Sequence, residues 1–143
     1  MIWIPEILIL IYLTFNSYTD VKIKKISIIA SVVFFSAGIV CEIFIMENSI
    51  ISIIGGIVIG MVLLIIGKLT GQAIGLGDGL IFMVSGIYFG FMKNLALLLY
   101  ALVICAVCSI ILLVFKKSKM KDRIPFAPFV LASFLIMLFL EVL

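Results

Sequence analysis

Apolar residues fill this chain in long runs separated by short polar interruptions, and most of the runs approach the roughly 20 residues that a helix needs to cross a bilayer. Lipid offers the backbone no hydrogen-bonding partner, so a crossing segment must close its own bonds as a helix. Six runs meet this description, at residues 2–18, 26–46, 50–69, 80–92, 94–115 and 125–143. The pattern predicts an all-α fold, a polytopic integral membrane bundle of six transmembrane helices. Residues 1–143 then form a single membrane-embedded domain, since no soluble domain, repeat or linker interrupts them. The fourth run is short, about 20 Å of helix. The uncharged, glycine-rich stretch before it, residues 71–77, is therefore expected to lie at membrane depth together with Asp78, either packed in protein or facing a wet cavity.

Composition agrees with a lipid-facing chain: 66% of the residues are hydrophobic and only 12% charged, with a mean hydropathy of +1.52. A water-soluble domain does not have this balance. The first run lacks a basic segment before it and a small-residue cleavage site after it, which reads as a retained span and not a signal peptide. Three cysteines, Cys41, Cys105 and Cys108, lie inside apolar runs and the chain has no histidine. A disulfide framework is not expected, and the Cys105-x-x-Cys108 spacing is read as small apolar packing within a span. Gly55, Gly56 and Gly60 in the third run are read as a close helix-packing face, a pattern that also leaves a homo-oligomer open.

The few charges are ordered along the chain. Nine of the ten basic residues fall at odd-numbered connections: Lys22, Lys24, Lys25, then Lys68, then Lys116, Lys117, Lys119, Lys121 and Arg123. By the positive-inside rule these connections face the cytoplasm and both termini face outward, in a multi-pass protein of the cell (cytoplasmic) membrane. The net charge of +3 serves this topology, and the lipid bilayer is the partner it implies; no nucleic acid is expected. Glu6, Glu42, Glu47 and Glu141 fall near the outer face, leaving Asp20, Asp78 and Asp122 as the inner acids.

Asp20 closes the first span and Asp78 opens the fourth, so both are expected at one membrane depth. Ionisable groups at such places default to function. Asp20 would face the C-terminal end of a helix dipole and Asp78 the N-terminal end of another. Gly75, Gly77 and Gly79 surround Asp78 and are expected to shape the loop, through positive φ or through close approach of another backbone. Two carboxylates brought together share one proton, a state suited to peptide hydrolysis: one activates water and the other donates to the developing oxyanion. Without histidine, a Ser-His or Cys-His mechanism has no base. A zinc site would have to be gathered from scattered Cys, Asp and Glu, and neither a metal nor another cofactor is expected.

Three stretches together resemble the prepilin peptidase family, the GxGD-type membrane aspartic peptidases. They are Asp20-Val21-Lys22-Ile23-Lys24-Lys25-Ile26-Ser27, Gly75-Leu76-Gly77-Asp78, and Ile124-Pro125-Phe126-Ala127-Pro128-Phe129. The order of these stretches and the expected topology agree over essentially the whole chain. The resemblance is to the compact forms, of the Flp/Tad-type or preflagellin kind, without the N-terminal cytoplasmic domain and its methyltransferase activity. It implies Asp20 and Asp78 as the catalytic pair, with Lys22 and Lys24 in the basic stretch that follows the first. It also implies a precursor with a short basic leader, a glycine before the cut and an apolar helix after it, cleaved at the cytoplasmic face. Ser27 and Ile28 stand where the family has Pro-Asn, Leu80 where many members have Lys, and Ala127 where Gly is usual. Those departures bear on substrate preference, because both acids and the motif glycines are kept. Two other classes remain open on the sequence: a small proton- or cation-coupled transporter or channel subunit, and a non-catalytic membrane protein of pilus assembly.

Overall fold

The computed structural model describes residues 4–45, 48–71, 75–115 and 124–140. The basic fifth connection, with Lys116, Lys117, Lys119, Lys121, Asp122 and Arg123, lies outside the described residues, as do Ile74, Glu47 and Glu141. Among the described residues all regular structure is helical: α1 (Ile4–Ile23), α2 (Ile28–Phe44), α3 (Ile50–Leu69), α4 (Leu76–Val114) and α5 (Ala127–Phe139).

Five helices stand where six were expected, because the fourth and fifth join at a kink as α4. Its one non-helical residue is Gly90, at φ 67° and ψ −169°, which divides it into segments 76–89 and 91–114. Only glycine fits: the φ disfavours any side chain, and a Cβ there would strike the Ser52 hydroxyl. That same hydroxyl accepts the Phe91 N–H at 3.1 Å. Four residues on, Asn94 reaches back to Phe82 O at 2.9 Å and accepts from Ser85 Oγ at 2.7 Å. The second segment therefore folds back along the first.

Among the described residues two helices are long and apolar enough to cross a membrane by length and composition, α3 and α4, and not six. α2 has 17 residues and α5 has 13, short of a full span. α1 has the length, but its last third carries Asn16, Ser17, Thr19 and Asp20. These polar groups are tolerated because the helix turns most of them inward: Asn16, Ser17 and Asp20 are all buried.

Segment 76–89 is the centre of the bundle. Ile81, Phe82 and Ser85 are fully buried, with Val84, Ile87 and Tyr88 nearly so, as expected of a helix apolar all round and covered on every side. Glycines set how closely α3 lies on it. A Cβ on Gly56 would come within 2.5 Å of Gly86 O, and one on Gly60 within 2.6 Å of Gly79 O, so neither face accepts even an alanine without separating the helices. The glycine face of α3 is thus occupied within the chain and is not free for self-association. On another side, Gly38 of α2 meets the Tyr88 ring, whose hydroxyl donates to Phe34 O at 2.8 Å. α5 closes the core through Phe134, stacked on Phe89 at 5.7 Å.

The corner between α1 and α2 is tied by side chains. Asn16 Oδ1 accepts the Ser27 N–H at 3.1 Å, and Ser27 Oγ caps α2 by accepting the Ala30 N–H at 3.3 Å. Ser31 Oγ donates to Ser27 O at 2.9 Å and lies 2.8 Å from the Tyr12 hydroxyl. Ser27 is thus a helix cap.

Candidate active site

Asp20 lies in the last turn of α1 and is only 8% exposed. α1 runs a turn beyond the expected span, to Ile23, and ends where Lys24 takes a left-handed conformation at φ 53° and donates its N–H to Asp20 O at 2.9 Å. The Asp20 carboxylate turns inward, and its Oδ2 accepts the Ala127 N–H at 3.1 Å. Ala127 is the first residue of α5, and its N–H is one of the amides that a helix N-terminus leaves without an internal partner. Pro128 follows immediately and has no N–H to offer. The third sequence stretch thus holds the first by a backbone group.

Asp78 lies in the first turn of α4, with Gly75 at the N-cap. Its own N–H donates to Gly75 O at 3.0 Å. Both carboxylates therefore sit at helix N-termini, Asp78 on its own helix and Asp20 against α5. Asp20 still stands at the C-terminal end of α1 and Asp78 at the N-terminal end of α4, as expected; the α5 amide is an addition to that contrast.

The motif glycines act through close approach. Gly75 has an ordinary φ of −62°, and Gly77 and Gly79 are absent from the positive-φ residues, which are Gly71, Gly90 and Lys24. A Cβ on Gly77 would lie 2.6 Å from Ile26 Cβ, and one on Gly79 would lie 2.6 Å from Leu64 Cγ and 2.9 Å from Gly60 O. Gly77 lets the start of α4 lie against the loop that follows Asp20; Gly79 seats it on α3. The two acid-bearing stretches are interlocked at a point where no side chain fits.

Asp20 and Asp78 line one cavity of about 380 Å³. Lys24, Lys25, Ile26 and Ile28 form one wall, Gly75, Leu76, Gly77 and Leu80 the facing one, with Leu64 contributed by α3. Lys22 is not part of it. Two residues beyond Asp20 on a helix is more than half a turn around the axis, and Lys22 Nζ instead donates to the Tyr18 hydroxyl at 3.1 Å, over that ring at 5.4 Å. Lys25, which the sequence does not separate from its neighbours, lines the cavity. So does Lys24. The free thiols Cys105 and Cys108 are half-buried and line no part of it.

Ser17, one turn before Asp20, is 7% exposed, and its hydroxyl has no hydrogen-bond partner among the described residues. Other hydroxyls on these helices, such as Ser31, Ser36, Ser109 and Ser133, donate to the carbonyl four residues back. Among the described residues no three His, Cys, Asp or Glu side chains gather closely enough to hold a metal ion. The arrangement places Asp20, whose carboxylate accepts a backbone amide, and Asp78 at the wall of a cavity that Lys24 and Lys25 also line. No protein-family model, curated protein or solved structure matches the chain.

Proposed function

We propose that the protein is a membrane aspartic endopeptidase that removes the short basic leader from prepilin-like precursors. The observation that carries this reading is the shared cavity: Asp20 and Asp78, far apart in sequence and on different helices, line the same 380 Å³ space. In the proposed reaction one carboxylate takes a proton from water as the water oxygen attacks the scissile carbonyl carbon. The other carboxyl donates its proton to the carbonyl oxygen. When the tetrahedral intermediate collapses, the C–N bond breaks and the amine leaves with a proton from the pair. Neither role is assigned to one residue of the pair.

Membrane insertion belongs to the same proposal. The outer faces carry large apolar side chains, with Ile29 79%, Ile51 82% and Leu69 81% exposed, and an aqueous surface does not usually expose apolar area so continuously. We read six membrane segments, counting 76–89 and 91–114 separately, with the aspartates at the cytoplasmic face. α1, α2 and α5 are short, and the bilayer adjusts to short helices at modest cost. With two lysines and two aspartates, the cavity has no formal excess of charge to attract a basic leader. The leader's charge is met by anionic headgroups at the membrane surface. A proton- or cation-coupled transporter would place its acids near the midplane, whereas these lie at helix ends.

The test uses the full chain reconstituted in liposomes with a reporter precursor that carries a Lys-rich leader, one glycine and an apolar helix. Mass spectrometry should find a single cut after the glycine, and Asp78→Asn should abolish it. No cleavage by the unaltered chain, or cleavage that survives in Asp78→Asn, contradicts the reading.

A further inference from the structure

A second cavity, of about 250 Å³, opens between α2 and the first segment of α4. Its walls are two stripes. On α2 these are Ile28, Ser31, Val32 and Phe35; on α4 they are Leu80, Met83 and Val84. The spacings i, i+3, i+4 and i+7 on one side, and i, i+3 and i+4 on the other, are those of single helix faces. The two helices are pinned together farther along, where Gly38 meets Tyr88 and the Tyr88 hydroxyl holds Phe34 O. Toward the aspartate end they leave a groove. From Ile28 to Phe35 it extends about 10 Å along α2, about two helical turns.

Two observations say what fits there. First, the groove adjoins the aspartate cavity, since Ile28 and Leu80 line both. Second, its only polar side chain is that of Ser31, and that hydroxyl already donates to Ser27 O and meets the Tyr12 hydroxyl. A chain lying in the groove finds no partner for its amides. An extended strand would leave its backbone groups unsatisfied at substantial cost, whereas a helix satisfies its own.

Resting on the peptidase reading, we infer that this groove is the subsite for the precursor beyond the scissile bond, and that its occupant is the first two turns of an apolar helix. The bond to be cut lies extended between Asp20 and Asp78; past Ile28 and Leu80 the chain becomes helical and packs between α2 and α4. An acidic or strongly polar residue in those turns is rejected, since no group in the groove could pair with it.

The experiment uses the liposome-reconstituted chain and the same reporter precursor, with a photoreactive leucine analogue placed at each of the seven positions after the glycine in turn. Trapped on the uncleaving Asp78→Asn chain, these should crosslink to α2 and the first segment of α4, at Val32, Phe35 or Met83. In parallel, Val32→Trp, at a 63% exposed position that leaves the core intact, should lower kcat/KM for the reporter by about tenfold or more, the scale on which apolar pocket contacts discriminate. Val32→Ala should not lower it to that degree. Glutamate at the third position after the glycine should be cleaved about tenfold more slowly than leucine there. Normal cleavage with crosslinks confined to α3 or α5, or with Val32→Trp unimpaired, overturns the subsite and leaves the peptidase reading standing. Absence of cleavage by the unaltered chain overturns both.

Discussion

Two of the polar clusters buried among the described residues are completed to different degrees. Around Asn94 every side-chain group is used: its amide donates to Gly56 O and Phe82 O, each at 2.9 Å, and its oxygen accepts from Ser85. It is wholly buried, and it joins α3 to both segments of α4. At the aspartate end, Asp20 takes one backbone N–H, the nearby Ser17 hydroxyl is left over, and a cavity opens beside the carboxylate. A satisfied network specifies a fold, because a buried polar group without a partner costs about 1–3 kcal/mol. Asp20 and Asp78 line a space that a group from outside the chain can enter. The contrast predicts that changes at the first cluster will be felt as stability and changes at the second as activity.

The largest effect on that comparison comes from Asn94→Ala, which leaves two buried carbonyls and the Ser85 hydroxyl without their partner. Unfolding in mixed detergent–SDS micelles should show a loss of about 2–4 kcal/mol. Whatever protein remains folded should cleave at its normal rate, and a variant of full stability would break the distinction.

Gly77→Ala sharpens it from the other side. The added methyl must displace Ile26 and with it the register between the two acid-bearing stretches. Misplacement by about 1 Å costs up to about 100-fold in rate, so cleavage should fall by about 10- to 100-fold while micelle unfolding is little changed. Ile26→Ala in the same chain should restore most of the loss by clearing the space. A reporter assay that found Gly77→Ala fully active would show that the interlock does not govern catalysis. Smaller still is Ser27→Ala, which removes the α2 cap and should cost about 1 kcal/mol of stability; its cleavage of the reporter should stay within about threefold, because Asn16 still holds the backbone N–H of residue 27.

Much of the frame was legible from hydropathy, because the apolar runs end at strongly polar or glycine-rich turns. α3 has the expected bounds, Ile50–Leu69, set between Asn48-Ser49 and Thr70-Gly71. The glycine face of that helix was also readable, since Gly56 and Gly60 recur at one-turn spacing in an otherwise bulky run. α1 was expected to stop near Tyr18 because averaged hydropathy cannot tell that Asn16, Ser17 and Asp20 share an inward face. Lys93 was expected to divide two helices, with Asn94 opening the second. The reversal lies three residues earlier at Gly90, and Asn94 is instead the buried hub. That Asp20 and Asp78 come to one end of the bundle follows from counting antiparallel helices, but the backbone amide of Ala127 is a donor common to almost every residue and carries no sequence signal. The same limit applies to the lysines: only the helical continuation to Ile23 decides that Lys22 turns away while Lys24 and Lys25 line the cavity.

The most direct test of the central claim is a double-mutant cycle on the reporter precursor with Asp20→Asn, Asp78→Asn and both together. Asparagine keeps the volume and can still hydrogen-bond, but it cannot accept the proton of the attacking water or share one with its partner. If the two carboxyls form one catalytic unit, each single variant should lose essentially all cleavage while still inserting and binding the reporter, and the double variant should be scarcely worse than either, as for groups that act together. Losses that multiply in the double variant, or one single variant that keeps substantial cleavage, would contradict it.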